Sequence, residues 1–91
     1  MQREYKEYRK LICKSIGELV KDIRLEKHKS LTLLSNEAGL SKSIWADLEK
    51  GDKDPQITTL WRIAEALDVP LSEVIKTVEN SLPKDWSFID N

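Results

Sequence analysis

Apolar residues recur at helical spacing along most of this chain, and most clearly between Ser30 and Gly51. There Leu31, Leu34 and Ala38 fall at i, i+3 and i+7, which is one face of a helix. Ser30 stands before them as an N-cap, its hydroxyl able to accept a free N–H of the first turn. Gly39 stands after them as a stop, because a helix C-terminus often needs the positive φ that glycine tolerates. Ser41 is the next N-cap, Ile44, Trp45 and Leu48 form a second inward stripe, and Gly51 ends it. Two short helices joined this tightly must cross steeply to share one core, which predicts a helix-turn-helix.

The stripe upstream runs through Tyr5, Tyr8, Leu11, Ile12, Ile16, Leu19, Val20 and Ile23, predicting one helix from about Glu4 to Lys27. Gly17 weakens that helix by roughly 1 kcal/mol relative to Ala and marks where it can break. His28 follows at a position suited to positive φ, so a backbone role is expected of it rather than catalysis or metal binding. Downstream, a loop over Asp52–Gln56 leads to a helix from Ile57 to Leu67 with Leu60, Ile63, Ala64 and Leu67 inward and Trp61 off the stripe. Pro70 suits the start of a last helix, striped by Leu71, Val74, Ile75 and Val78 and ended by Asn80 and Pro83. The tail carries Trp86, Phe88 and Ile89 and is expected to dock on the rest. The chain is therefore read as all-α, with an N-terminal helical extension over 1–15, a helix-turn-helix domain over 16–79 and a tail over 80–91.

Composition narrows the chemistry. A length of 91 residues suits one small domain, and three glycines with three prolines suit a helical one. No apolar run is long enough for a membrane span or a signal peptide, so the expected compartment is the cytoplasm. A single cysteine, Cys13, and a single histidine exclude an internal disulfide and a Cys/His zinc site. Cys13 is read as a buried, inert thiol. With no Gly-rich phosphate loop, nucleophile elbow or apolar carboxylate pair, neither an enzyme nor a bound cofactor or metal is expected. Net charge is −1, but residues 1–29 carry +4, residues 30–50 carry −1 and residues 51–91 carry −4. A basic N-terminal element can thus face phosphates while the acidic end faces away.

The stretch from Ser30 to Gly51 resembles the helix-turn-helix of the Cro and phage-repressor type, the XRE family. The resemblance rests on Ser30, Ser35, Ala38-Gly39-Leu40-Ser41, Trp45 and Leu48-Glu49-Lys50-Gly51, with Ile16-Gly17 and Ile23-Arg24 upstream and Pro55 and Leu60–Leu67 downstream. It implies a five-helix, lambda-repressor-like domain and a sequence-specific transcriptional regulator, a repressor, that binds double-stranded DNA as a homodimer. The helix over 41–50 would enter the major groove. The residues implied at DNA are Thr32, Ser41, Lys42, Ser43, Ala46, Asp47, Lys50 and Lys53. Arg24 and Glu49 match a family ion pair, and Trp45 occupies an enclosed position where smaller aliphatics are usual. The chain departs from the family at Leu31, where many members carry a phosphate-binding Gln, and at Asp52 and Asp54, where many carry cations. The same resemblance admits an antitoxin with a toxin partner or a restriction–modification controller; a protein-interaction module on the same fold is the other reading. Dimer contacts are expected from Trp61, from the Tyr5/Tyr8 face or, placed first, from Trp86, Phe88 and Ile89 in the tail.

Overall fold

The computed structural model describes residues 5–89. Five helices follow in order: α1 Tyr5–Glu26, α2 Leu31–Ala38, α3 Lys42–Glu49, α4 Ile57–Ala66 and α5 Leu71–Ser81. The expected start of the first helix at Glu4 lies outside the described residues. α1 packs on α3 and α5, α2 on α3 and α4, and α4 on α5. Around the resulting centre lie Ile16, Val20, Leu34, Trp45, Leu48, Leu60, Ile63 and Leu67.

Local rules account for how the helices begin and end. The Ser30 hydroxyl accepts from the Leu33 N–H and that of Ser41 from the Ile44 N–H, each at 3.1 Å. Four helices stop in the same way, with a left-handed residue whose successor donates back five residues: His28 (φ 56°), Gly39 (69°), Gly51 (80°) and Asp68 (59°). The glycines and His28 fit expectation; Asp68 carries no such signal beyond the tolerance of Asp for this region.

α1 runs unbroken through Gly17, across the position where an extension was separated from the domain. A Cβ at Gly17 would collide with the carbonyl oxygens of Leu48 and Glu49, so the glycine lets α1 lie directly against the end of α3. The helix accepts a weaker residue there because the close crossing is gained.

Four stripe positions turn out otherwise than their spacing predicts, Tyr5 among them at 48% exposed. Ile44 is 44% exposed, Ile75 40% and Leu11 39%. Ile44 and Trp45 are neighbours on α3, so only one can point straight into the core; the larger ring takes that place and is fully buried. Ile75 is displaced in the same way by Val74, and Leu11 stands on the part of α1 that overhangs the core.

Candidate nucleic-acid interface

Trp45 and Glu49, one turn apart on α3, anchor the site from within. The indole Nε1–H donates to Glu49 Oε2 at 2.7 Å. Arg24 brings its planar fork to the same carboxylate, Nε to Oε2 at 2.7 Å and Nη2 to Oε1 at 3.0 Å, and its Nη1 reaches the Lys29 carbonyl. The ion pair implied by the family resemblance is thus present, with both side chains largely buried. Glu49 pushes the Arg24 guanidinium above its ordinary value by hydrogen bonding, against the opposing effect of burial. The result is a rigid joint between α1 and the last turn of α3.

A second joint had no counterpart in the sequence reading. Arg62 on α4 donates from Nε to the Ala38 carbonyl at 2.9 Å and from Nη2 to that of Gly39 at 2.6 Å. These carbonyls end α2 and face no further turn, so a cation there satisfies both hydrogen bonding and the helix dipole. The partners are separated by more than twenty residues, which leaves no local signature. Ser35, buried within α2, is satisfied by donating to the Thr32 carbonyl at 3.1 Å. Small side chains at Ser35 and Ala38 let α2 and α3 approach.

With its inner face held, α3 turns the other face outward. Lys42 and Ser43 in its first turn are exposed, as are Ser41 before it and Lys50 at its end. Ala46 and Asp47 are half-buried, so they stand on the flank. Ile44 joins the outward face, where the sequence reading had not put it. Thr32 on α2 and Lys53 in the following loop are exposed on elements adjoining α3. Leu31, where a polar phosphate ligand is usual in the family, packs partly buried against the core.

The aromatic residues proposed for dimer contact separate into two groups. Trp86 packs edge-on against Tyr8 and Phe88 lies on both Tyr5 and Tyr8, with ring centroids 5.6–5.8 Å apart. The tail docks, as its composition implies, and its site is the Tyr face of α1. Ile89 is exposed, and Trp61 is 55% exposed. Trp61 borders an open groove of about 740 Å³ between α4 and α5, with Val69, Leu71 and Ile75 on its wall. Cys13 is buried, and that burial pushes its thiol up, which keeps it in the unreactive protonated form. Among the described residues no helix is long and apolar enough to cross a membrane.

Comparison with known proteins agrees with this geometry. The helix-turn-helix (HTH_3) family model matches residues 20–74. The chain is 38% identical over 75 residues to the ImmF control region 10 kDa protein of Bacillus phage phi105, covering 82% of each. It is 29% identical over 72 residues to the HTH-type transcriptional regulator SutR of Escherichia coli, covering 79% of this chain but 40% of SutR. Among solved structures, an HTH_3 family transcriptional regulator from Vibrio cholerae superposes with a TM-score of 0.73 at 28% identity, over 88% of this chain and 45% of that one. Capped helix pair, Arg–Glu joint and sequence match coincide in one segment, and the chain belongs to the helix-turn-helix family of Cro- and repressor-type domains.

Proposed function

We propose that the protein is a sequence-specific DNA-binding transcriptional regulator, a repressor working in the cytoplasm, that reads the major groove with α3. The observation carrying this reading is the division of α3 into a face locked by Trp45 and Glu49 and a face that leaves Lys42 and Ser43 free. Lys42 can donate to guanine O6 and N7, Ser43 can pair with several bases, and Ala46 can meet a thymine methyl. Asp47, an acceptor only, suits the cytosine amino group. Thr32, Lys50, Lys53 and the free N–H groups opening α2 and α4 supply phosphate contacts. The Ser41 oxygen already caps α3, which leaves its hydroxyl proton for a phosphate. Relatives described as transcriptional regulator and immunity repressor support the same reading.

The test is binding to a duplex selected from a random pool, compared with unselected duplex. Lys42→Ala is expected to cost about 1–3 kcal/mol on the selected site and to relax preference at one position of each half-site. Lys53→Ala is expected to weaken both duplexes equally and to flatten the salt dependence, because phosphates carry no sequence information. Equal losses for both variants on both duplexes would remove the base-reading role of α3. A parent that selects no site would favour an interaction module on this fold.

One short helix reads few bases, and a homodimer placing two α3 helices on half-sites ~34–36 Å apart answers that need. We place its interface at the Trp61 groove, since the rings of Trp86 and Phe88 are already occupied within the chain. A second copy is the occupant that fits: an isologous contact brings each patch onto itself, and the groove carries Lys76 beside Glu65 and Glu79 for reciprocal pairing across the twofold. Trp61→Glu is expected to convert the sedimenting dimer to monomer, while removal of residues 82–91 leaves it dimeric. The opposite pattern would move the interface to the tail.

A further inference from the structure

We propose that the N-terminal half of α1 and the loop leaving α3 form a second contact for the DNA sugar-phosphate backbone, beside the recognition helix. The inference rests on the DNA-binding reading above. A cleft of about 430 Å³ separates the two elements, with Lys6, Arg9 and Lys10 on one wall and Asp52 and Lys53 on the other. The elements meet at Gly51, where a Cβ would come within 2.9 Å of Lys14 Cα. This places α1 directly against the residue that ends α3.

The charge pattern of that wall asks for an anion. Lys6, Lys10 and Lys14 repeat at i, i+4 and i+8, so they form one row on α1 with steps of about 6 Å along the axis. Like charges at this spacing weaken a helix, yet neither these three nor Lys53 forms an ion pair with a described residue. Arg9 is used differently: its Nε holds Asp54 Oδ2 at 2.9 Å and cancels a carboxylate that would repel phosphate. The carboxylates left at the cleft are Glu7 and Asp52, fewer than the free cations.

The row is also held in place. Tyr5 and Tyr8 pack on Phe88 and Trp86 of the tail, bracing the turns of α1 that overhang the core. A braced row of cations next to a base-reading helix matches the regular phosphates flanking a major groove, and each phosphate neutralised releases counterion.

The experiment is a salt titration of DNA binding by fluorescence anisotropy, comparing the parent with the double variant Lys6→Gln/Lys10→Gln on selected and random duplexes. Both lysines are exposed, so the fold is not at stake. Loss of two phosphate contacts is expected to flatten the slope of log K against log salt by about 1.8, with the same fold-loss of affinity on both duplexes. An unchanged slope in a parent that binds overturns this inference and leaves the role of α3 intact. A loss confined to the selected duplex overturns it too, by assigning the lysines to base reading. A parent that binds neither duplex overturns both the inference and the reading beneath it.

Discussion

Trp45→Ala is expected to destabilise the protein by about 3–5 kcal/mol, the range for deleting a large aromatic from a packed core. The ring is fully buried, and Leu34, Leu48 and Leu60 share its core cluster. α2, α3 and α4 therefore all lose a common neighbour when it goes. In a domain of this size such a loss is a large share of the total stability. Denaturant unfolding monitored by circular dichroism measures it. A fall under about 1 kcal/mol would mean that the core closes over the missing ring. Trp45→Phe separates the two roles of the side chain, since it keeps most of the volume and removes the bond to Glu49. Its expected cost is about 1–2 kcal/mol.

Glu49→Ala is expected to cost about 2–4 kcal/mol, although it removes a charged residue near the surface of a small domain. The carboxylate serves three donors, two from Arg24 and one from Trp45, and all three would be left in a site that water reaches poorly. An unpaired guanidinium is the costlier of the orphans. In a double-mutant cycle with Arg24→Ala, the two losses should overlap by about 1–3 kcal/mol. Strict additivity would show that the pair is idle. The same variant should also loosen the end of α3 and so blur DNA preference before affinity is lost. By contrast the Arg9–Asp54 pair, half exposed on both sides, is expected to matter for charge placement more than for stability.

Much of this protein is legible in its sequence because the governing interactions are local. Ser30, Ser41, Gly39 and Gly51 act on backbone groups within a turn of themselves, so the limits of α2 and α3 follow from the residues alone. Trp45 and Glu49 stand at i and i+4, and their contact could have been read from that spacing. Arg24 with Glu49 was reachable through family resemblance, not through spacing.

What the tertiary structure decided depends on partners far along the chain. Periodicity placed both Ile44 and Trp45 inward; the volume left between α2 and α4 admitted one and turned the other to solvent. Gly17 reads as a weak point in a helix until α3 is seen to press its carbonyls there, where any side chain would intrude. Arg62 closing α2, Arg9 cancelling Asp54 and the tail rings settling on Tyr5 and Tyr8 join segments that no short pattern connects. Helix limits are set by hydrogen bonds within a few residues, and the sequence determines them. Which face is buried, and which cations remain unpaired, is set by the shape and charge of the neighbouring element, and only the assembled helices determine that.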